Sequence, residues 1–400
     1  MKLAVIVTEY PKSTETFIYR DLIKFAELGA EIRLYHLAPY RHGQALHAFA
    51  EPTRAWAHYI GFAGRPAWAA SLRAMRHPLK LAAAIGTVIR AYAGLPKIGV
   101  KSLAMLPKAL AIAEDARTWG ATHVHAEFAG HPATAAWVGY RLGGLPYSVS
   151  CRAHDIFRTQ KLLDVKLGEA RAVRTVSDFG RAFLRDKVAG MREREIEVIH
   201  SSVDIAAIAP IETVPSITPF RILYVGALEP KKGVEYLLDA LRIAGASLGD
   251  WRCDLIGHGP SADALRRRAD ELGLADRLTF HGALPFERVA AAYAGASVCV
   301  APSVIGPNGR QEGIPNVMIE ALAYQRPAIT TDISGIPELI RDGDTGLLVP
   351  QADAPALAAA LCRVFDDPAA ALAMAKRGRA HVAAAFDLAV NARRQLALFS

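Results

Sequence analysis

The stretch from Ser303 to Glu320 reads SVIGPNGRQEGIPNVMIE, and it decides how the second half of the chain is interpreted. It follows an apolar run, Ala296–Pro302, which predicts a buried β-strand. Pro315 suits the first turn of a helix, where its missing N–H has no intrahelical acceptor. Two glutamates, Glu312 and Glu320, therefore follow the carboxyl end of a strand, where doubly wound parallel sheets bind ligands.

The start of this predicted helix is suited to an anion. The free N–H groups of a first helical turn and the positive end of the helix dipole form a site for phosphate. Gly313 allows another group to approach the backbone. Glu320 follows Glu312 by about two helical turns, and a carboxylate there can accept hydrogen bonds from sugar hydroxyls. The alternative is that Glu320 caps or pairs on an exposed helix.

A second strand-to-helix junction begins at Tyr224 and reads YVGALEPKKGVEYLL. Lys231 and Lys232 lie just before the predicted helix, where a diphosphate needs positive charge. Two exposed lysines in a loop are the ordinary explanation of such a pair. Their place at the first strand-to-helix turn of the same predicted domain favours a phosphate contact, mainly through Lys232.

Three further patterns argue against a bound cofactor or metal. Gly257-x-Gly259 resembles part of a dinucleotide-binding fingerprint, but the third glycine and the acidic residue are missing. Asp342-Gly343-Asp344 lies in RDGDTG, which predicts a turn rather than a metal site. The four cysteines are far apart and without CxxC spacing, which disfavours structural zinc and suits a reducing cytosol.

Strand and helix patterns alternate along the chain of 400 residues, which predicts parallel sheets covered on both faces. Residues 210–219 contain prolines that block helix and central strand, so this segment predicts a linker. We expect an α/β protein with two doubly wound domains, residues 1–209 and 220–383, and a helix at 384–400 that packs back on the first. No stretch reaches the ~18 uninterrupted apolar residues of a spanning helix, so a soluble or peripheral protein is expected.

The whole net charge of +8 lies in one segment. Between Arg54 and Arg117, ten basic residues face two acidic ones, so the remainder of the chain is neutral. Helical spacing joins four apolar residues, with three basic residues on a neighbouring face: Trp68, Leu72, Met75 and Leu79, then Arg73, Arg76 and Lys80. One interpretation is a core helix with a solvated basic side. The other is contact with an anionic membrane surface or with an acceptor phosphate, through at most a short helix because Pro78 interrupts it.

The C-terminal half resembles the retaining nucleotide-sugar glycosyltransferases of glycosyltransferase family 4, which have the GT-B fold of two Rossmann-like domains facing a cleft. The matching residues follow the family's order: Gly226-x-Leu228-x-x-x-Lys232-Gly233, Gly257-x-Gly259-Pro260, Phe280-x-Gly282, Pro302-Ser303, Glu312-x7-Glu320, Gly335-x-Pro337-Glu338 and Asp342-Gly343-x-Thr345-Gly346. The N-terminal half resembles exopolysaccharide-type members, including those of colanic acid biosynthesis, at Ser13–Ile18 and Ala153–Phe157.

The resemblance implies that Lys232 holds the donor diphosphate, that Glu312 contacts the transferred sugar, and that Glu320 contacts the ribose. The implied donor site comprises Gly226, Lys231, Lys232, Ser303, Glu312, Gly313, Ile314, Pro315, Asn316, Val317 and Glu320. The implied catalytic residues are Glu312, Lys232, Arg152 and His154, and the implied acceptor site comprises Ser13, Thr14, Glu15 and Asp155. The implied reaction uses a UDP- or GDP-type donor as substrate and needs neither cofactor nor metal, because lysine and helix dipole stabilise the leaving diphosphate.

Two positions depart from the family pattern and leave three hypotheses open. Ala227 stands where an arginine that binds the diphosphate is usual, so Lys231 or Arg310 would replace its charge. Arg152 stands where a histidine is usual.

The first hypothesis is that the protein transfers a sugar to a glycan or polyprenyl-linked saccharide, either in the cytoplasm or at the inner face of the cytoplasmic membrane. The second is a sugar-nucleotide epimerase, with acid and base groups from His125, Glu127, His131, His154 and Asp155. The third is a non-catalytic relative that binds nucleotide sugar. No nucleic-acid partner is expected, since aromatic residues do not interleave with the basic ones.

Overall fold

The computed structural model describes residues 1–12, 15–42, 47–62, 64–306 and 309–400, apart from the side chain of His154. The chain divides into two compact units. Met1–His200 and Ala389–Ser400 form the first unit, and Ser201–Leu388 forms the second. The proline-containing segment 210–219 therefore falls inside the second unit, and residues 384–400 are divided between the two.

The first unit contains a parallel sheet. Its strands within the described residues are β1 (Lys2–Val7), β2 (Glu31–His36), β3 (Ala57–His58), β4 (His123–Glu127), β5 (Tyr147–Cys151), β6 (Ala172–Thr175) and β7 (Glu197–Val198). They lie in the order β3-β2-β1-β4-β5-β6-β7. Every residue of β4 and β5 is buried, as expected for strands covered on both faces.

Helices cover both faces of this sheet. They are α1 (Thr16–Glu27), α2 (Arg65–Ala74), α3 (Pro78–Ala91), α4 (Pro96–Ala104), α5 (Leu106–Trp119), α6 (His131–Gly143), α7 (Ala153–Ile156), α8 (Leu163–Gly168) and α9 (Asp178–Lys187). Local sequence explains several helix ends. Ser177 caps α9 by accepting a hydrogen bond from the Gly180 N–H at 3.0 Å, and Gly120 ends α5 in the left-handed conformation.

The second unit repeats the plan on a smaller scale. Its strands are β8 (Phe220–Val225), β9 (Trp251–Ile256), β10 (Leu278–Gly282), β11 (Val298–Ala301), β12 (Ala328–Thr331) and β13 (Leu347–Val349), all parallel over the described residues and in the order β10-β9-β8-β11-β12-β13. Its helices are α10 (Val234–Ala244), α11 (Ala262–Glu271), α12 (Phe286–Gly295), α13 (Asn316–Ala323), α14 (Ala354–Asp366) and α15 (Pro368–Ala385).

The last helix, α16 (Leu388–Phe399), packs in the core of the first unit from Ala389 onward. Ala392 and Phe399 are buried beside α1, and the Phe399 ring is 5.8 Å from that of Phe25 in an edge-on contact. The chain therefore completes its first unit only with its final residues.

The structure confirms the predicted α/β class with two doubly wound parallel sheets. Three local details differ from the sequence patterns. Strand β3 has two residues and carries no periodic signal, so it was not expected. Strand β7 covers only Glu197–Val198, whereas the sequence pattern predicts a strand over residues 195–201. The helical spacing from Trp68 to Leu79 belongs to two helices, because α2 ends at Ala74 and Pro78 begins α3.

Candidate functional site

Each sheet has one place where the strand order reverses. In the second sheet this place lies between β8 and β11, which are neighbours although β9 and β10 separate them in sequence. Loops that follow these two strands diverge at their carboxyl ends and leave a crevice for a ligand. Lys231 and Lys232 follow β8, while Glu312 and α13 follow β11. The residues that the sequence singles out therefore meet at this switch point.

Lys231, Lys232 and Glu312 form a compact charged cluster. The Lys231 ammonium group is 2.6 Å from one carboxylate oxygen of Glu312, and the Lys232 ammonium group is 3.0 Å from the other. All three side chains are largely buried, with the Glu312 side chain 12% exposed. Burial acts to raise the pKa of Glu312, but the charges of Lys232 and Lys231 outweigh it and lower the pKa to about 2. The Glu312 carboxylate is thus ionised near neutral pH, and the formal charge of one carboxylate beside two lysines is +1.

Helix α13 points its N-terminal end into the same loop region. The helix begins at Asn316, and Pro315 serves as its cap residue instead of lying in the first turn as the sequence suggested. The Met318 N–H donates to the Pro315 carbonyl at 2.9 Å, whereas the N–H groups of the helix start have no intrahelical acceptor. These groups, with the helix dipole, supply a second attraction for an anion beside the two lysines.

Glu320 lies on the same helix and is held by a tyrosine. The hydroxyl of Tyr293 is 3.2 Å from a carboxylate oxygen of Glu320 and donates to the Val317 carbonyl at 3.1 Å. The Tyr293 ring stacks on Tyr324 at 5.3 Å, which fixes its direction. Sequence reasoning did not identify Tyr293, since a tyrosine at helical spacing ordinarily predicts core packing.

Glycines bring the loops of this site together. Gly233 has φ +63°, and a Cβ on it would lie 2.0 Å from the Pro302 carbonyl oxygen. A Cβ on Gly257 would lie 1.8 Å from the Gly226 carbonyl oxygen, and one on Gly259 would lie 2.4 Å from the Leu228 carbonyl oxygen. The partial dinucleotide fingerprint therefore serves backbone-to-backbone packing.

Two other candidate donor-site residues, Ser303 and Arg310, lie outside the charged cluster of Lys231, Lys232 and Glu312. Ser303 is buried, and its carbonyl accepts a hydrogen bond from the Thr331 hydroxyl at 2.5 Å. Arg310, a candidate replacement for the arginine missing at Ala227, pairs with Glu229 at 3.7 Å and is half exposed. Lys231 reaches Glu312 instead, so it is the better placed of the two replacements.

The first unit places acidic and basic side chains after β1. Glu15 accepts a hydrogen bond from the Lys12 ammonium group at 2.7 Å, and Lys12 also lies 3.7 Å from Glu9. Burial raises the pKa of Glu15 even though Lys12 opposes the shift. Ser13 and Thr14, the other predicted acceptor residues of this loop, lie outside the described residues.

Arg152, which the resemblance implies to be a catalytic residue, is buried in an ion pair. Its guanidinium lies 3.3 Å from the Glu127 carboxylate and 4.0 Å from the centre of the Phe17 ring. Burial acts to raise the pKa of Glu127, but Arg152 and His125 outweigh it, so the carboxyl stays ionised. Arg152 thus already has a counterion within the fold.

Asp155 fastens two strand ends together. Its carboxylate accepts hydrogen bonds from the Arg152 N–H at 2.8 Å and from the Ala129 N–H. Burial raises its pKa to about 7 against the effect of these bonds. Both oxygens are engaged with backbone, so the structure gives Asp155 a positioning role. His154 lies in α7, and its side chain is outside the described residues.

A buried polar network lies on one face of the first sheet. Its hydrogen bonds run from His123 to Ser148 at 2.8 Å, from Ser148 to His125 at 2.7 Å, and from His125 to Ser150 at 3.1 Å. It continues through Arg174, which contacts Ser150 and Gln395 of α16. His125 and Glu127 are therefore enclosed in the sheet, which argues against them as the acid and base of an epimerase.

The large apolar residues that helical spacing joins in the basic segment do not face the core. Ala67, Ala70 and Ala74 form the buried face of α2, whereas Trp68 is 65% exposed and Leu79, at the start of α3, is 85% exposed. Leu72 and Met75 are exposed beside them, as are Arg76 and Lys80. Lys108 departs from the predicted basic surface, because it is fully buried and donates to the Leu37 carbonyl at 2.6 Å. Over the described residues, no helix is long and apolar enough to span a bilayer.

Comparison with known proteins finds glycosyltransferases among the proteins that this chain is similar to. Residues 219–367 match the model of glycosyl transferases group 1. The chain is 28% identical over 378 residues to WcaL of Salmonella typhimurium, assigned as a colanic acid biosynthesis glycosyltransferase, with 90% of each chain covered. It is 35% identical over 179 residues to the amylovoran biosynthesis glycosyltransferase AmsK of Erwinia amylovora, covering 45% of this chain and 44% of AmsK.

Solved structures confirm the two-domain GT-B fold. Sucrose-phosphate synthase from Thermosynechococcus elongatus superposes with a TM-score of 0.71 at 21% identity, over 100% of this chain and 98% of that chain. HepE from Anabaena, in complex with UDP, superposes with a TM-score of 0.70 at 17% identity, over 99% of this chain and 98% of HepE.

Proposed function

We propose that this chain, whose residues 219–367 match the glycosyl transferases group 1 model, moves a sugar from a nucleotide-sugar donor to a glycan or lipid-linked saccharide in surface polysaccharide synthesis. The observation that carries the proposal is the cluster of Lys231, Lys232 and Glu312 at the switch point of the second sheet. It combines cations for a diphosphate with a carboxylate for sugar hydroxyls. The likeness of most of the chain to a colanic acid biosynthesis protein supports the polysaccharide class.

The donor chemistry follows from the charges at that place. The bond between the anomeric carbon and the diphosphate oxygen breaks, and Lys232 with the N-terminal end of α13 stabilises the charge that develops on the leaving group. The acceptor hydroxyl oxygen forms the new bond to the anomeric carbon, and its proton passes to the departing phosphate oxygen. We propose that both events take place on one face of the sugar, so that configuration is retained without a protein nucleophile and without a metal ion.

The acceptor is proposed to bind at the carboxyl end of β1 in the first unit. Lys12 and Glu15 supply charged hydrogen-bonding groups there, and Ser13 and Thr14 belong to the same loop by resemblance. Arg152 and Asp155 stabilise the same edge of the sheet. Arg152 neutralises the buried charge of Glu127, and Asp155 accepts hydrogen bonds from backbone groups that follow β4 and β5. We assign the first unit to the acceptor on these grounds.

We also propose peripheral association with the anionic, cytoplasmic face of a membrane, where lipid-linked acceptors are presented. The surface formed by Trp68, Leu72, Met75, Leu79, Arg76 and Lys80 combines exposed apolar side chains with positive charge. A basic residue near an anionic leaflet contributes about 1 kcal/mol, and apolar side chains add to this by entering the interface. The positive charges of this surface match an anionic leaflet, and its apolar side chains match the interior of the bilayer interface.

Incubation with radiolabelled UDP-sugars and GDP-sugars, with a polyprenyl-linked saccharide extract as acceptor, tests the function. Transfer of label to the acceptor, or slow donor hydrolysis without it, is expected, and both should persist in EDTA. Recovery of an interconverted nucleotide sugar would instead support the epimerase. Binding without any product would support a non-catalytic relative. Nuclear magnetic resonance of the product linkage tests retention, since an inverted anomeric centre contradicts the front-face mechanism.

A further inference from the structure

One carboxylate engages both cations of the candidate donor site. Each oxygen of Glu312 pairs with a different lysine, at 2.6 Å to Lys231 and 3.0 Å to Lys232. The three side chains are between 12% and 19% exposed, so water screens these charges only partly. In this arrangement the positive charge that a diphosphate requires is already paired.

We infer that Glu312 is an internal counterion that the donor diphosphate displaces from Lys231 and Lys232. The inference rests on the proposed function and adds a regulatory step to its site: binding of the diphosphate exchanges one anion for another. The displaced carboxylate is then available to the hydroxyls of the transferred sugar. Glu312 thus contacts the sugar hydroxyls only when the phosphates are bound to the two lysines.

Electrostatics favours exchange over simple addition. The cluster has a net charge of +1, whereas the diphosphate carries about two negative charges in a nucleotide sugar and about three in a free nucleoside diphosphate near neutral pH. If Glu312 kept both ion pairs, its carboxylate and the phosphates would share the same ammonium groups at a separation of a few Å. Like charges at that distance in a partly buried site repel strongly. Glu312 itself lies outside helices and strands, so its side chain is not fixed by a regular element.

The exchange has a consequence after the transfer. Once the sugar has left, the product diphosphate no longer offers hydroxyls to Glu312, and the carboxylate competes with it for the two lysines. Glu312 therefore weakens the binding of the product more than that of the donor. A single acidic residue then both contacts the sugar and promotes product release.

Isothermal titration calorimetry with UDP, GDP and ADP separates the two effects of Glu312. The Glu312→Gln variant removes the charge but keeps the size of the side chain, and we expect the nucleoside diphosphate that binds the unaltered chain to bind about tenfold more tightly. Glu312→Asp, which retains the charge on a shorter side chain, is the comparison variant and should gain less affinity than Glu312→Gln. The nucleotide sugar should gain less than its diphosphate, because the variant also loses a contact to the sugar.

Unchanged or weaker diphosphate binding by Glu312→Gln would overturn the exchange and leave Glu312 as a support for the lysines. Glu312→Ala removes the same charge and takes the place of Glu312→Gln if that variant does not fold. Loss of diphosphate binding in Lys232→Met would show that the proposed donor site stands even when the exchange fails. No binding of any of the three nucleotides to the unaltered chain would instead overturn the proposed function, and the inference with it.

Discussion

The ammonium group of Lys232 lies at the start of α10, 3.0 Å from Glu312, and Ala227 leaves the preceding turn without an arginine. We predict that Lys232→Met raises the dissociation constant of the bound nucleoside diphosphate at least tenfold, about 1.4 kcal/mol, because a point charge at the phosphates is lost. Calorimetric titration measures this directly. The exposed Lys376→Met in α15 is the control and should bind normally. Unchanged binding by Lys232→Met would contradict this prediction and would indicate that Lys231 supplies the charge at the phosphates.

Glu312 also makes folding stability depend on pH. Burial favours its protonated form, but Lys232 and Lys231 outweigh burial and lower its pKa from the ordinary 4.5 to about 2. A lowered pKa in the folded state stabilises the fold above pH 4.5, and this contribution is lost as the pH falls toward 2.

The matched comparison is urea unfolding of the unaltered chain and Glu312→Gln. We expect the difference in free energy of unfolding to be largest above about pH 5, at most ~3 kcal/mol, and to shrink steadily below pH 4.5. A difference that stays constant down to about pH 3 would mean that the ion pairs do not hold Glu312 ionised.

The buried network of the first sheet shows a signal that sequence reasoning missed. His123, His125 and Glu127 alternate along β4, which is a period-two pattern of polar residues in a strand that is covered on both faces. Such a pattern predicts partners on the neighbouring strand, and Ser148 and Ser150 of β5 supply them. Residue type alone makes His125 and Glu127 candidates for acid and base, whereas the face they share with His123 indicates buried hydrogen bonding.

At the scale of elements, the donor-site loops depend on backbone contact at Gly233. Its φ of +63° and the 2.0 Å separation between an added Cβ and the Pro302 carbonyl oxygen rule out a side chain without a shift of the loop. We predict that Gly233→Ala destabilises the fold by about 2–4 kcal/mol and abolishes detectable diphosphate binding, as measured by thermal unfolding with and without nucleotide.

Gly273→Ala is a matched control for this prediction. Gly273 has a similar φ of +67° but no atom within 4 Å of an added Cβ, so only the conformational strain remains. It should cost about 1 kcal/mol and leave nucleotide binding intact. Equal effects of the two variants would show that strain, and not the contact with Pro302, determines the result.

Helix α2 has its small residues buried and its large ones exposed. Periodicity identified the stripe of Trp68, Leu72, Met75 and Leu79, but it did not reveal which side faces the core, because the alanines opposite form an equally regular stripe. Close packing of α2 on α5 selects the alanine face. A large apolar stripe therefore remains on the surface.

This surface predicts salt-sensitive membrane association. The chain should float with anionic phosphatidylglycerol vesicles at low salt and be released at high salt, since the electrostatic attraction is screened. Arg76→Glu with Lys80→Glu should abolish flotation while nucleotide binding stays normal, and reversal of the exposed Arg267 and Arg288 in the second unit is the charge-matched control. Equal flotation with neutral and anionic vesicles, or none with either, would contradict the proposal.

At the scale of the whole molecule, alternating strand and helix patterns sufficed to predict two doubly wound sheets. They sufficed because short strand patterns alternate with helical patterns along both halves of the chain, and this alternation is typical of parallel sheets covered by helices. The contacts of the last helix, α16, are harder to predict from the sequence. Gln395 of α16 donates to Asp21 at 3.2 Å and contacts Arg174, so a residue near the chain end completes a network whose other members are far away in sequence.

The donor side of the site was more predictable than the acceptor side. Lys232, Glu312 and α13 lie in short sequence motifs at strand ends, and the parallel topology brings strand ends together. Arg152 and Asp155 also lie at a strand end, yet both are engaged in contacts of the fold, which depend on Glu127 and on the backbone at Ala129. No local pattern encodes those partners.

The most direct measurement of the central claim is a crystal structure of the chain with the nucleoside diphosphate, UDP or GDP, that stabilises it. We predict phosphate oxygens within hydrogen-bond distance of the Lys232 ammonium group and of the first N–H groups of α13, with the ribose beside Glu320. A diphosphate bound away from the β8–β11 switch point, with Lys232 and α13 making no contact to it, would contradict the donor site and the proposed transfer that depends on it.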